Sequence, residues 1–155
     1  MNTTEQKLMV LSKMAAEFNR MNLIWAVGGS LLLYLKGYTD HFNDIDIMVA
    51  ETDAEKMEGM LKSMGSIQPT VKGSFETRYY RKFIVDSTEV DMVGGFAIVN
   101  SGHVYNCDLE KSQIAQYIEL YEQRIPLHSI ELWRKYYALM GRDDKAAMID
   151  AKRKQ

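Results

Sequence analysis

The chain has 155 residues, 46% hydrophobic and 26% charged, which fits one globular domain with a real core and argues against disorder. A formal net charge of −2 excludes the basic balance of a general nucleic-acid binder. Cys107 is the only cysteine, so an internal disulfide is excluded and a reducing compartment fits. The sequence lacks a signal peptide and any apolar run of about 18 residues. It therefore predicts a cytoplasmic protein without a membrane span.

The first part of the chain alternates between helical and strand patterns. Apolar periodicity, caps and breakers predict these elements: a helix over 4–21 capped by Thr4, a strand over 23–27, a helix from Ser30 to near Gly37, a strand over 45–50, and a helix over 53–64 closed by Gly65. The stretch 66–74 contains Gly, Pro and Ser and predicts a loop.

The second part of the chain is mostly β-prone. It predicts a hairpin of strands over 78–85 and 89–99, a short strand over 103–109, a strand pair over 117–129 with a helix up to Tyr121 as the alternative, a helix over 129–141 capped by Ser129, and a helix or tail over 142–155. This order indicates an α/β or α+β fold with a mixed sheet flanked by helices and a short helical C-terminus. We assign 1–155 to one domain, with 129–155 as a C-terminal helical segment.

Acidic residues interrupt two runs that otherwise read as core strands. Asp44 and Asp46 alternate with isoleucines, and Asp91 lies between Val90 and Met92. Alternation places Asp44 and Asp46 on one face of the strand. Bare carboxylates at such spacing repel each other and resist burial, and a divalent cation removes that cost. If the hairpin pairs beside this strand, Asp91 completes a cluster of three carboxylates suited to Mg²⁺ or Mn²⁺ and to phosphoryl or nucleotidyl transfer. Each acid taken alone also fits a turn or a solvated strand position.

Gly28, Gly29 and Ser30 separate the first predicted strand from the following helix. Glycines allow a ligand to approach the backbone, and the helix start offers free N–H groups for a phosphate. An ordinary strand–helix turn with Ser30 as the cap explains the same residues. The P-loop and dinucleotide-binding patterns are both missing, so neither of those sites is indicated.

The run Gly29–Ser30, the later Asp44–Ile45–Asp46–Ile47 and the "VDM" around Asp91 resemble the signature of the DNA polymerase β-like nucleotidyltransferase superfamily. The "NDIDI" stretch is most similar to the small bacterial lincosamide and aminoglycoside nucleotidyltransferases. The resemblance implies a nucleotidyltransferase fold, nucleotide binding by Gly28, Gly29 and Ser30, and metal binding and catalysis by Asp44, Asp46 and Asp91. Asp91 would bridge the metal and the attacking hydroxyl.

The sequence therefore predicts a Mg²⁺- or Mn²⁺-dependent enzyme that moves a nucleoside monophosphate from a triphosphate to a hydroxyl, releasing pyrophosphate. The expected acceptor is a small molecule, and a homo-oligomer is compatible with the sequence. The alternative is a weakly catalytic protein of this fold that acts as a binding or regulatory partner, as in some toxin–antitoxin pairs.

Several other residues have two interpretations. Glu89 is a candidate general base or a solvated strand residue, and His41 is a candidate edge of the site. Basic residues near the hairpin and the C-terminus either meet phosphates or an acidic acceptor, or are surface charge; they are Arg78, Arg81, Lys82, Arg134, Lys135, Arg142 and Lys145. Tyr34 and Tyr38 are expected to pack rather than to stack on a base.

Overall fold

A computed structural model of the chain describes residues 3–70 and 77–153. Its helices are α1 (Thr4–Arg20), α2 (Gly29–Leu35), α3 (Ala54–Met64), α4 (Ile130–Leu139) and α5 (Asp143–Arg153). Its strands are β1 (Trp25–Val27), β2 (Ile45–Val49), β3 (Ser66–Gln68), β4 (Tyr79–Val85), β5 (Thr88–Gly94), β6 (Ala97–Asn100), β7 (His103–Asn106), β8 (Ile114–Leu120) and β9 (Gln123–His128). Within the described residues, no helix is long and apolar enough to span a membrane.

Seven strands form one mixed sheet in the order β3-β4-β5-β2-β1-β9-β8, and β6 and β7 form a separate hairpin. Strand β2 lies antiparallel to β1 and parallel to β5, and β1 lies parallel to β9. The predicted α/β class, with a mixed sheet flanked by helices and a helical C-terminus, is confirmed. The single-domain assignment for 1–155 stays a prediction, and α4 and α5 occupy the segment 129–155.

The isoleucines of β2 belong to the core, as alternation predicts. Ile45 and Ile47 are completely buried, as are Val90 and Met92 on the adjacent β5. Helices α1 and α3 pack on the sheet, and buried side chains of both helices join the same cluster. At about 25 cal/mol per Å² of buried apolar surface, such burial is the main stabilising contribution to the fold. The opposite side chains of β2 and β5 are then left to line a cleft.

Two-residue turns fix the register of both hairpins. Asp86 and Ser87 have φ of 47° and 65°, and Tyr121 and Glu122 have φ of 49° and 68°. Two consecutive residues with positive φ form the tight turns that match strand twist. The first turn is shorter than the predicted three-residue link, and it pairs Lys82 with Asp91. The second turn decides between the alternatives for 117–129 in favour of a strand pair.

Four local predictions shift. The single strand predicted over 89–99 is divided into β5, which belongs to the seven-stranded sheet, and β6, which pairs with β7. Thr3, not Thr4, caps α1, because its side chain accepts from the Gln6 N–H in a capping box with Gln6. Helix α2 begins at Gly29 rather than Ser30. The predicted loop over 66–74 begins with strand β3, which pairs with β4; its residues 71–74 lie outside the described part of the chain. The predicted Ser129 cap is confirmed, because its hydroxyl accepts from the Leu132 N–H at 3.2 Å.

Candidate active site

A cleft of about 960 Å³ opens along one side of the central sheet. Asp46 of β2 and Asp91 of β5 line it. The turn between β1 and α2 contributes Gly29 and Ser30 to its wall. Residues of β4 and of the α4–α5 segment complete the lining. The cleft is therefore built around the carboxylates that the sequence singles out.

Parallel pairing of β2 and β5 brings two of the three predicted acids together. Asp46 and Asp91 are directly paired in this register, so their side chains leave the same face of the sheet. Asp44 lies one residue before β2 and does not line the cleft. Its carboxyl nevertheless interacts electrostatically with Asp91 and is close enough to hydrogen-bond with the Glu89 side chain. The structure thus clusters all three predicted acids and adds Glu89.

The cluster strongly resists ionisation. Burial, first of all, and the charges of Asp91 and Asp44 together raise the pKa of Asp46 to about 8. Burial, the hydrogen bond with Glu89 and the nearby acids raise the pKa of Asp44 to about 6. The pKa of Asp91 is also raised, mainly by burial, although the Lys82 charge opposes this. Such mutual elevation is typical of acids that share a functional site.

Lys82 is the built-in cation of the cluster. It lies opposite Asp91 on β4, and its Nζ is 3.7 Å from Asp91 Oδ1. That oxygen is buried, and no group in the described part of the chain hydrogen-bonds to it. One half-buried ammonium therefore lies beside the group of acids, and its single positive charge does not neutralise all of them.

The Gly29–Ser30 turn supports Asp46. The backbone N–H of Ser30 hydrogen-bonds to the Asp46 carboxylate and opposes the rise in its pKa. Gly29 has a φ of +59°, and a Cβ built on it would lie 2.3 Å from Asp46 Oδ2. Only glycine meets both conditions without strain. The turn therefore places a carboxylate at the same point where the sequence predicts a phosphate.

Gly28 has a different environment from its neighbours. Its N–H donates to the Asp46 carbonyl at 3.1 Å, and a Cβ on it would lie 2.5 Å from the indole of Trp133. It does not belong to the cleft lining. The structure gives Gly28 a packing role under Trp133, and its nucleotide-binding assignment stays a prediction.

The residues fit a divalent cation in part. The acids are clustered and resist ionising together. The buried Oδ1 of Asp91 accepts no hydrogen bond from the described residues and is available to a cation. However, no group of three or more His, Cys, Asp or Glu side chains in residues 3–70 and 77–153 is arranged to hold an ion alone. Mg²⁺ is usually held by one or two carboxylates together with substrate phosphates. The donor set fits that mode better than a closed protein cage.

The other candidates divide between the cleft and the surface. His41, Arg78, Arg81, Arg142 and Lys145 line the cleft. Arg134 is instead paired with Asp150 at 2.8 Å, and Tyr34 packs on Phe42 with ring centroids 5.0 Å apart, as expected for a packing residue.

Sequence reasoning missed the aromatic wall. Trp133 and Tyr137 of α4 and Phe96, which precedes β6, all line the cleft. Trp133 and Tyr137 have the one-turn spacing of ordinary core residues, so the sequence gives no sign that they face a ligand. Lys82 could have been placed opposite Asp91 by assuming a two-residue turn in the first hairpin.

The model of the aminoglycoside-2''-adenylyltransferase family matches residues 10–152. Among curated proteins, none matches the sequence. Several solved structures share the fold, and three of them are described here in turn. A Thermotoga maritima protein assigned as a nucleotidyltransferase has a TM-score of 0.75 at 22% identity, covering 97% of this chain and 94% of its own.

The lincosamide antibiotic adenylyltransferase LnuA, bound to lincomycin, has a TM-score of 0.59 at 17% identity, covering 88% of this chain and 87% of its own. The enzyme ANT(2'')-Ia, in complex with adenylyl-2''-tobramycin, has a TM-score of 0.56 at 13% identity, covering 95% and 97%. At these identities the structures show the shared fold, and the family match covers nearly the whole chain.

Proposed function

This chain belongs to the aminoglycoside-2''-adenylyltransferase family and is a nucleotidyltransferase, and we propose that it transfers a nucleoside monophosphate, AMP first among the candidates, from its triphosphate to a hydroxyl of a small molecule. The observation that carries the proposal is the direct pairing of Asp46 with Asp91 on the floor of the cleft. One structural neighbour is bound to lincomycin and another to adenylyl-2''-tobramycin, which supports a small-molecule acceptor here.

Asp46 and Asp91, with Asp44 beside them, are the residues that would hold Mg²⁺ or Mn²⁺. When bound, the ion supplies charge neutralisation for the triphosphate and for the oxygens that attack and leave. Its charge would favour the ionised form of these acids, which burial and their mutual repulsion oppose.

In the proposed reaction the acceptor hydroxyl oxygen forms a bond to the α-phosphorus, and the bond from that phosphorus to the β-bridging oxygen breaks. Pyrophosphate leaves with the electron pair of the broken bond. Asp91 accepts the hydroxyl proton, because it lies on β5, on the opposite side of Asp46 from the Gly29–Ser30 turn. The chemistry relies on positioning and charge rather than on a covalent enzyme intermediate.

We assign the triphosphate to the side of the cleft formed by Ser30, Arg142 and Lys145. Tyr137 lies between Asp46 and Arg142 on this side of the cleft. Burial is the main cause of its raised pKa, the charge of Asp46 raises the pKa further, and the charge of Arg142 lowers it. Arg142 lies just before α5 and forms an ion pair with the exposed Asp144 at 3.3 Å. A guanidinium in that position can exchange an exposed carboxylate for phosphate oxygens at little cost.

Coupled binding of metal and nucleotide tests the proposal. Thermal melts are recorded with Mg²⁺, with each of several nucleoside triphosphates, and with both together. We expect a more-than-additive rise for at least one triphosphate, because each ligand lowers the electrostatic cost of the other. When the ligand concentration is about 100 times its dissociation constant, binding stabilises the folded protein by about 2.7 kcal/mol. Each kcal/mol raises the melting temperature by roughly 2–4 °C.

The double variant Asp44→Asn/Asp46→Asn should lose this coupling. Its matched control is Asp40→Asn/Asp143→Asn, which removes two exposed carboxylates and should behave as the wild type. Additive shifts in the wild type, or equal coupling in the Asp44→Asn/Asp46→Asn protein, would refute the carboxylate assignment. Pyrophosphate release with an acceptor panel then tests the transfer itself.

A further inference from the structure

We propose that the hydroxyl of Tyr137 on α4 donates a hydrogen bond to a phosphate oxygen of the bound nucleoside triphosphate. The inference rests on the proposed nucleotidyl transfer and adds a residue that binds the nucleotide. It gives a role in substrate binding to a helix whose sequence has the pattern of an ordinary core element.

The Tyr137 side chain is buried, and it still faces the cleft. The residue is 6% exposed and lines the cleft. Within the described part of the chain its hydroxyl makes no hydrogen bond, and it is not one of the fully buried atoms that lack a partner. The hydroxyl therefore lies at the accessible edge of the ring. Because a buried tyrosine usually hydrogen-bonds through its hydroxyl, this one has a donor left for a ligand in the cleft.

Two charged residues show where the hydroxyl lies. The phenol is close enough to Asp46 and to Arg142 for both charges to act on its pKa. Asp46 belongs to the carboxylate cluster, and Arg142 is assigned to the triphosphate. A triphosphate that extends from the cluster to Arg142 therefore passes the Tyr137 hydroxyl. An O–H group that donates to a charged phosphate oxygen forms one of the stronger hydrogen bonds.

A neutral donor suits this position better than a cation. Burial is the main cause of the raised pKa of Tyr137, and the charge of Asp46 raises it further, although the charge of Arg142 lowers it. The hydroxyl therefore keeps its proton at neutral pH and stays a donor. A lysine here would pair with Asp46, as Lys82 pairs with Asp91 at 3.7 Å, and would compete with a metal ion for the carboxylate.

Aromatic contacts hold the Tyr137 ring in place. Its centroid is 5.4 Å from the ring centroid of Trp133, one turn earlier on α4. Trp133 in turn packs on the turn before α2, since a Cβ added to Gly28 would lie 2.5 Å from the indole. The ring is thus fixed before a ligand binds, which reduces the entropy cost of forming the hydrogen bond.

The adjacent Tyr136 provides a matched control. It is 3% exposed, and it is not one of the residues that line the cleft. Burial is the main cause of its raised pKa, and the charges that act on it are those of Cys107 and Glu110. The two hydroxyls therefore face different parts of the molecule. Replacing either tyrosine by Phe removes one hydroxyl and keeps the ring.

Isothermal titration calorimetry in Mg²⁺ tests the inference with two ligands that share only a triphosphate chain. They are α,β-methylene ATP, which cannot transfer its nucleotide, and tripolyphosphate. Tyr137→Phe should weaken the binding of both ligands about tenfold, because a hydrogen bond to a charged oxygen is lost. Tyr136→Phe should bind both ligands as the wild type does.

Thermal melts without ligand distinguish binding from a structural role. Within the described residues the Tyr137 hydroxyl has no partner to lose, so Tyr137→Phe should not lower the melting temperature. A lower melting temperature with unchanged ligand affinities would mean that the hydroxyl serves the fold alone, and it would overturn the inference.

The titrations separate this inference from the proposed function. If neither ligand binds the wild type in a Mg²⁺-dependent way, the proposed function fails and the inference fails with it. If α,β-methylene ATP binds and Tyr137→Phe keeps the wild-type affinity, or Tyr136→Phe loses as much, the inference alone is overturned. It is also overturned if tripolyphosphate does not bind or is not weakened by Tyr137→Phe, because the hydroxyl would then not contact the phosphates.

Discussion

Gly29 lies so close to Asp46 that a Cβ on Gly29 would be 2.3 Å from Asp46 Oδ2. The first residue of α2 therefore limits where the Asp46 carboxylate of strand β2 can lie. Any larger residue must displace that carboxylate, and the backbone φ of +59° adds a separate penalty.

Gly29→Ala should abolish the coupled response to Mg²⁺ and nucleoside triphosphate. The control is Gly37→Ala, where φ is +79° and nothing lies within 4 Å of the added Cβ. Both variants should lose about 1–2 kcal/mol of stability from the backbone conformation, and only Gly29→Ala should lose ligand coupling. The measurement is a denaturant melt of each variant together with the metal–nucleotide melts. Equal coupling in the two variants would show that contact with Gly29 does not position Asp46.

The sequence is enough to locate the carboxylate cluster, because alternation and hairpin formation are local. Ile45 and Ile47 can only be buried if Asp46 faces the other way, and a two-residue turn determines which residue of β4 meets Asp91. The relation between β2 and β5 is different, since their parallel pairing joins distant segments. It could be assumed from the resemblance, and it could not be derived from spacing.

The α4–α5 wall lay beyond sequence reasoning. Trp133 is seated on Gly28, a contact over more than a hundred residues that depends on how the final helices return to the sheet. A tryptophan at helical spacing is expected in the core, and here it is both packed and part of the cleft lining.

Asp46→Asn should stabilise the metal-free protein at neutral pH. The folded pKa of about 8 lies above the ordinary value of 3.8, so the folded state holds a proton that the unfolded state releases. Stability from this group is complete below pH 3.8 and is lost as pH rises to about 8, by at most about 1.4 kcal/mol per pH unit. Asn resembles the protonated acid and does not titrate.

The measurement is a series of thermal melts in EDTA between pH 6.5 and 8. The wild type should lose stability as pH rises through this window, and Asp46→Asn should lose less. Asp40→Asn, which changes a fully exposed side chain, serves as the control. If the wild type and Asp46→Asn have parallel curves, Asp46 is ionised at neutral pH without a metal.

His128 produces the opposite dependence on pH. It is completely buried, and burial lowers its pKa to about 4 from 6.5. The unfolded chain therefore takes up a proton between pH 6.5 and 4 that the folded chain refuses. Stability from neutral His128 is complete above pH 6.5 and falls by about 3 kcal/mol as pH drops to 4.

His128→Leu should remove this acid sensitivity. Among the described residues, none hydrogen-bonds to either ring nitrogen with good geometry, so the substitution takes a partner from none of them. The free energy of unfolding, measured by denaturant at several pH values, should fall more for the wild type than for the variant between pH 6.5 and 4. His103→Gln, at an exposed histidine of β7, should follow the wild type. A constant difference between wild type and His128→Leu would mean that the pKa of His128 is not lowered in the folded protein.

Asp91→Asn should impair turnover far more than nucleotide binding. Asp91 lies beside the expected position of the attacking hydroxyl, whereas the triphosphate is assigned to the side formed by Ser30 and Arg142. Loss of a proton acceptor lowers kcat by about a hundredfold or more, and the nucleotide dissociation constant should change only a few-fold. Glu89→Gln is the matched test, because Glu89 faces the same side of β5 two residues earlier. Single-turnover rates and nucleotide titrations are measured for both variants. If Glu89→Gln lost turnover while Asp91→Asn kept it, the proton would pass to Glu89 and Asp91 would serve binding alone.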